Sequence, residues 1–205
     1  MFGMFEFGDV RFRPMEREDL KLLHGWENDF EVTMNSRNLP LNFVSMPQLE
    51  KRFEKWIQDE RETRFIVELA ESKEAVGIAR IELMDWSNVR TADVGTYIGQ
   101  KELWGKGLGK HIAVGLLEMC FNELNVDRCE ASSVEYNIRA HKGLEACGFK
   151  RTGISRKSAF VNGKVWDRYH FDLLREEYLT IRMELLKSTL GEKLQAYLDR
   201  VKPKL

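Results

Sequence analysis

The chain has 205 residues, enough for one domain or one domain with a modest extension. Apolar residues make up 43% and charged residues 32%, an ordinary balance able to fill a globular core. The formal net charge of −1 gives no global field to gather nucleic acid or an anionic membrane, so any anion site must be local.

Cys120, Cys129 and Cys147 are widely spaced in apolar contexts, with no CxxC and no Cys/His cluster. That pattern argues against zinc, so no metal site is expected, and the thiols read as small buried hydrophobes in a reducing compartment. Met1 to Gly8 is apolar but short, carries Glu6, and lacks the basic start of a signal peptide. No run of about 18 apolar residues occurs, so no membrane span is expected and the location expected is cytoplasmic.

In chain order, Val10 to Arg13 alternates as a first strand and Pro14 ends it. Glu16 to Asn28 is predicted helical, with Leu20, Leu23 and Trp26 on one face. Ser45 reads as the N-cap of a second helix with Pro47 in its first turn, and Leu49, Phe53, Trp56 and Ile57 form its apolar stripe. Three strands follow, Arg64–Leu69, Ala75–Met84 and Thr91–Ile98, whose short connections predict antiparallel neighbours. A glycine-rich turn then leads into a helix over Leu108–Leu124. Arg128–Val134 reads as a strand and Arg139–Cys147 as a short helix stopped by Gly148. Phe149–Phe160 and Val165–Leu174 read as a hairpin about Asn162-Gly163, a pair suited to a type I′ turn. Glu176 to about Arg200 is predicted as one long amphipathic helix. This order gives an α+β sandwich around one mixed sheet rather than a repeating βαβ barrel.

The chemistry concentrates in Leu103-Trp104-Gly105-Lys106-Gly107-Leu108-Gly109-Lys110, between a strand and an amphipathic helix. Three alternating glycines let the backbone turn tightly and expose N–H groups. The helix start adds unpaired donors and the positive dipole end, so the segment suits a phosphate or pyrophosphate. Lys106 and Lys110 add local charge. The bland reading is a turn that only connects two elements. Neither GxxxxGK[ST] nor GxGxxG is present, because His111 follows Lys110 and position 110 is lysine.

This segment resembles the acetyl-CoA pyrophosphate loop of the GNAT superfamily of N-acetyltransferases, Gln/Arg-x-x-Gly-x-Gly/Ala. Gly107 and Gly109 match its small positions, and Trp104 departs from its first. The form WGKGLG is similar to enzymes that acetylate the N-terminal amines of ribosomal proteins and to spermidine acetyltransferases. Asn137 to Phe149 resembles the family's asparagine loop, short helix and Gly-Phe ending. The resemblance covers about Val10 to Leu174. It implies a GNAT-like, mixed and mostly antiparallel central sheet flanked by helices, with acetyl-CoA as co-substrate and no metal. The expected division is an acetyltransferase domain over 9–174 and a C-terminal helical extension over 175–205.

By the same resemblance, Ile98, Gly99, Gly105, Lys106, Gly107, Leu108, Gly109, Lys110 and Asn137 bind the cofactor, with Asn137 touching the pantetheine arm. Capping of the following helix is the alternative role of Asn137. The strands ending near Ile98 and Val134 are expected to splay, freeing the backbone of Ile98 and Gly99 for the cofactor's arm and the oxyanion.

Direct transfer needs a base to free the amine and an acid for the departing thiolate. Asp93 is the first candidate for the base, on the strand where related enzymes often carry a glutamate; Glu130 and Glu135 are alternatives. A surface carboxylate is the plain reading of Asp93. Related enzymes place a tyrosine or a serine where this chain has Leu144 and Ala140, so Tyr136 is the substitute candidate for the acid. His24, His111, His141 and His170 have no nucleophile partner or metal spacing and read as structural.

The acceptor side is expected, by resemblance, along Asn28 to Glu60 and the final hairpin. Glu27, Asp29, Glu31, Glu50 and Glu54 can attract a cationic amine, and a solvated helix face explains them equally. A protein N-terminal amine is the preferred acceptor, with a polyamine or other small amine next. A non-catalytic CoA-binding regulator is the rival class, and no nucleic-acid or membrane partner is expected. The terminal helix carries a broad stripe from Tyr178 to Val201 that must be buried, with a homodimer contact slightly favoured over packing on its own domain.

Overall fold

The computed structural model describes residues 4–36, 43–85 and 87–201. Its centre is one eight-stranded sheet in the order β1-β2-β3-β4-β5-β6-β8-β7. The strands are β1 (Phe5–Phe7), β2 (Val10–Pro14), β3 (Glu62–Leu69), β4 (Ala75–Asp85), β5 (Thr91–Ile98), β6 (Arg128–Val134), β7 (Lys150–Val161) and β8 (Lys164–Leu174). Every neighbouring pair is antiparallel except β5 and β6. The expected mixed, mostly antiparallel sheet is therefore present.

Period-two alternation sorts the strands into two faces. One face, with Val67, Ala79, Ile81, Ala92, Cys129 and Phe171, packs on α4 (Leu108–Glu118), α6 (Arg175–Leu190) and α7 (Leu194–Val201). The other, with Ile66 and Ile78, packs on α1 (Leu20–Asn28) and α3 (Met46–Trp56) through Leu20, Leu23, Leu49 and Phe53. Ser45 does begin α3: its N–H donates to Gln48 Oε1 at 2.9 Å, and Pro47 lies in the first turn.

Several expectations shift. Phe5–Phe7 forms a strand that the sequence reading left out; Gly8 turns it back at φ 62°, with no room for a Cβ beside His111. The first helix opens as a 3₁₀ turn over Arg17–Asp19, and a further helix, α2 (Phe30–Ser36), fills a stretch read only as acceptor side. Leu108–Leu124 is helical but changes to a π turn over Met119–Glu123. Helix α5 covers Ile138–Ala146, and Asn162-Gly163 turns the hairpin with φ 53° and 73°.

The long terminal helix is two. Gly191, at φ 52°, ends α6, and the chain resumes through Gly191–Lys193 into α7. Part of the terminal stripe packs on its own domain: Tyr178, Leu185, Leu186, Leu190 and Tyr197 are buried in the chain's main core. Glu118 of α4 fixes the arrangement. It accepts from Tyr178 Oη, from Tyr197 Oη at 2.5 Å, and from both Arg182 Nε and Nη2 at 2.7 Å. Burial alone would raise its pKa; the hydrogen bonds from Arg182, Tyr178 and Tyr197 outweigh that and hold it below the usual value. Residues 202–205 of the proposed extension lie outside the described residues. Among the described residues, no helix is long and apolar enough to cross a membrane.

Candidate active site

The glycine segment follows a 3₁₀ turn over Lys101–Leu103. Gly105 and Gly107 take φ 77° and 84°, a region side chains disfavour, and Gly107 is the N-cap of α4. Lys110 N–H bonds to Gly107 O at 2.9 Å, so the amides of residues 107–109 precede the first intrahelical bond. A Cβ built at 105, 107 or 109 meets nothing within 4 Å, so the outer side of the turn is open to a ligand. Leu108 is buried and anchors the turn. Lys106 is exposed, whereas Lys110 Nζ reaches Ser188 Oγ of α6 at 2.9 Å.

Trp104, the residue that departs from the family pattern, has a structural role. Its Nε1–H donates to Ile98 O at 2.8 Å, which ties the loop to the end of β5. Its ring carries the Arg139 guanidinium 4.8 Å above the centroid.

Strands β5 and β6 pair only over Thr91–Asp93 and Arg128–Glu130, then separate. The expected splay is present, but its free groups differ from those expected. Gly99 N–H bonds to Val76 O at 2.8 Å, and Ile98 O is engaged by Trp104. Strand alternation therefore turns the N–H groups of Thr96 and Ile98, not that of Gly99, into the gap. Gly99 is small for another reason: a Cβ there would lie 2.2 Å from Cδ2 of Trp26. The Gly99 N–H is thus committed within the sheet, and its missing side chain makes room for the Trp26 ring.

One cavity of about 760 Å³ runs through this gap. On the side of α4 it is lined by Trp104, Gly109, Ala113, Asn137, Arg139 and Leu144. On the side of α1 and α3 it is lined by Glu27, Arg52, Trp56, Arg64, Arg80 and Asp93. Ala140 and Leu144, which stand where related enzymes have hydroxyls, also line it. Thr96, Tyr97, Ser132 and Ser133 also line it, the Thr96 hydroxyl donating to Ile78 O at 2.8 Å.

Asp93 sits where β5 and β6 part. Register places Glu62, Glu82, Asp93, Glu130 and Asp172 directly opposite one another across five strands. Like charges so placed repel. Three arginines two residues along their strands offset them: Arg64 pairs with Glu62, Arg80 with Glu82 at 2.6 Å and with Asp93, and Arg128 with Glu130 at 2.6 Å and Asp172 at 2.9 Å. Burial pushes the Asp93 carboxyl up to about 6, with Glu82 and Glu130 adding to the rise and Arg80 opposing it. The plain reading of Asp93 as a surface carboxylate gives way to a half-buried, titratable one. Of the alternatives, Glu130 pairs with Arg128 and Glu135 Oε2 accepts from Asp167 N–H at 3.4 Å; neither lines the cavity.

Tyr136 does not line the cavity. Its hydroxyl donates to Met34 O, burial holds its pKa above the usual value, and its ring meets Trp166 edge-on at 5.0 Å. The Tyr136 hydroxyl therefore bonds to the backbone of α2. Asn137 caps α5, its Oδ1 accepting from Ala140 N–H at 3.2 Å, while its Nδ2 donates to Asn35 O at 2.9 Å. Both ends of its amide are engaged within the protein, so the capping alternative describes what its side chain does. Glu50 and Glu54 lie outside the lining; Asp29 and Glu31 both pair with Lys101 at 2.8 Å. Residues 37–42 of the expected acceptor side lie outside the described residues.

Sequence reasoning gave no site role to four lining residues, Arg52, Arg64, Arg80 and Arg139. A signal existed for two of them: Arg64 and Arg80 share the strand faces of Ile66 and Ile78, so they are charges on an inward side. The cysteines are all buried, and burial pushes the Cys147 thiol up to about 11. His141 packs between Tyr169 and Phe171 with Nε2 3.0 Å from Val134 O.

A cavity open to an anion cradle at one end and to a titratable carboxylate at the other suits group transfer from a phosphate-bearing donor to a nucleophile. The chain belongs to the GNAT acetyltransferase family, its residues 9–150 matching the Acetyltransferase (GNAT) domain. It is similar to the uncharacterised N-acetyltransferase p20 of Bacillus licheniformis, 29% identical over 82% of this chain and 94% of that protein. It is also similar to the spermidine N(1)-acetyltransferase of Vibrio cholerae, 28% identical over 83% of this chain and 95% of that protein. The crystal structure of spermidine N-acetyltransferase from Vibrio cholerae in complex with CoA and spermine superposes with a TM-score of 0.74 at 26% identity, covering 83% of this chain and 98% of that one. The protein is an N-acetyltransferase, and acetyl-CoA is its co-substrate.

Proposed function

We propose that this enzyme acetylates the primary amine of a small free molecule held in the cavity between α1, α3 and the β5–β6 gap. The observation that carries this reading is the single cavity joining the glycine turn to Asp93. The relatives named spermidine N(1)-acetyltransferases favour the small-amine alternative over a protein N-terminus.

Acetyl-CoA supplies an acetyl thioester. The amides of residues 107–109, with Lys106 and Arg139, hold its phosphates. The N–H groups of Thr96 and Ile98 point to where the carbonyl oxygen gathers charge. Asp93, with its raised pKa, takes a proton from the acceptor's ammonium, directly or through water. Positioning in the gap supplies much of the remaining rate.

The test is release of CoA thiol from acetyl-CoA against a panel of small amines, with spermidine and short peptides included. Turnover with small amines is expected. Turnover confined to peptide N-termini would return the reading to protein acetylation, and CoA binding without turnover on any amine would favour a regulator.

A further inference from the structure

Resting on the small-amine reading, we infer that the acceptor carries an oxyanion, a carboxylate, beside its amine, and that Arg64, supported by Arg52, recognises it. The acceptor side of the cavity is lined by three guanidinium groups, Arg52, Arg64 and Arg80, and two carboxylates, Glu27 and Asp93. Both carboxylates are already paired, Glu27 with Arg52 at 2.9 Å and Asp93 with Arg80. The compensating acids Glu62 and Glu82 lie on the sheet outside the lining. A polyamine would bring further ammonium groups into this space and find no carboxylate uncommitted there.

The three guanidinium groups are paired as well, but one donor of Arg64 is left over. Arg64 sits over the Trp56 ring, its Cζ 4.1 Å from the centroid, which restrains the guanidinium. Its Nη2 pairs with Glu62, but its Nε is buried without an acceptor. Burial holds the group below its usual pKa and Arg80 adds repulsion, while Glu62, Tyr97 and Glu27 oppose them, and the buried Nε is left short of an acceptor. A planar oxyanion answers that shortage through charge-assisted hydrogen bonds that an ammonium cannot make. The gap beside Asp93 receives the acceptor's amine, so the carboxylate belongs at its other end.

Matched acceptors that differ by one carboxylate test this: lysine against 1,5-diaminopentane, and 6-aminohexanoate against hexylamine, with spermidine and phosphoethanolamine as further arms. The full chain with acetyl-CoA should turn over the carboxylated member of a pair with at least tenfold higher kcat/KM, mainly through KM. Phosphoethanolamine ranking above the carboxylates would mark the anion as a phosphate and overturn the assignment to a carboxylate. Arg64→Gln, and independently the more exposed Arg52→Gln should Arg64→Gln fail to fold, are expected to bring the matched ratio towards one. Diamines or spermidine turned over as well as or better than the carboxylated acceptors would overturn the inference while leaving the acetyltransferase reading intact. A carboxylate preference untouched by both substitutions would overturn it too. Absence of transfer to every amine would remove both readings together.

Discussion

The two ends of the cavity are built by different means. At the glycine turn the protein presents backbone: two positive-φ glycines, an N-cap and amides that precede the first helical bond. At the acceptor end it presents side chains from α1, α3, β3, β4 and β5, whose charges meet only because strand register and helix packing bring them together. The first kind of site is specified by residues adjacent in sequence and tolerates little change. The second is specified by tertiary contacts and can be rewritten residue by residue, so relatives below 30% identity need not share the acceptor.

The comparison breaks most sharply at the loop. Gly109 has an ordinary helical φ and open space where a Cβ would stand, so Gly109→Glu should fold, whereas at Gly107 the φ of 84° would add strain to any substitution. The new carboxylate enters the cavity wall and repels the pyrophosphate. Affinity for CoA is expected to fall by about 100-fold or more, on the order of 3 kcal/mol, with the melting temperature little changed. Calorimetric titration with CoA beside a circular-dichroism melt reads both. Undiminished affinity would place the phosphates elsewhere.

At the other end, Asp93→Asn is expected to lower kcat by roughly 100-fold through loss of the base, with KM for acetyl-CoA kept. Stability gives a separate signature. The folded carboxyl, raised to about 6, binds its proton more tightly than the unfolded group at 3.8. The folded state is therefore favoured when Asp93 is protonated, and the parent protein loses this contribution as pH rises from about 4 to about 6. The asparagine variant lacks that titration. Its stability relative to the parent should improve over this interval by on the order of 2–3 kcal/mol, whatever constant cost comes from leaving Arg80 to Glu82 alone. A pH-independent difference would mean that Asp93 keeps an ordinary pKa.

The scaffold behind both ends is tested by Glu118→Ala. It strands the hydroxyls of Tyr178 and Tyr197 and the Arg182 guanidinium in a buried site, and a cost of about 3 kcal/mol is expected in denaturant melts. A cost well below 1 kcal/mol would mean that the network is not what holds α6 and α7 to α4.

Legibility in the sequence follows the same division. Strand alternation, the Ser45 cap, the Asn162-Gly163 turn and the glycine loop are local signals, and each element they predict is present. The break at Gly191 was missed because the apolar stripe runs through it, although a glycine at positive φ after the last turn is itself a local stop signal. Gly99 marks a close approach without saying by what: Trp26, which fills the space beside it, lies 73 residues earlier in the chain and reaches it only through folding. The contacts of Tyr136 and Asn137 were equally illegible: both side chains donate to carbonyls of α2, a helix the sequence reading did not contain. The arginines of the acceptor end became a cluster only once Arg64 and Arg80 were in register.

The smallest expected effect tests the seam between the two ends. Trp104→Phe keeps a ring beneath Arg139 and removes the hydrogen bond to Ile98 O. A single neutral hydrogen bond is worth about 1 kcal/mol, so KM for acetyl-CoA should rise by about fivefold as the loop loosens from β5. The substitution also frees the Ile98 carbonyl towards the gap. If the cofactor's arm needs that carbonyl, as the family resemblance implied, the freed group offsets the loss and affinity holds or improves. A rise in KM therefore assigns Ile98 O to anchoring the loop, and a fall assigns it to the cofactor, with the indole as its competitor.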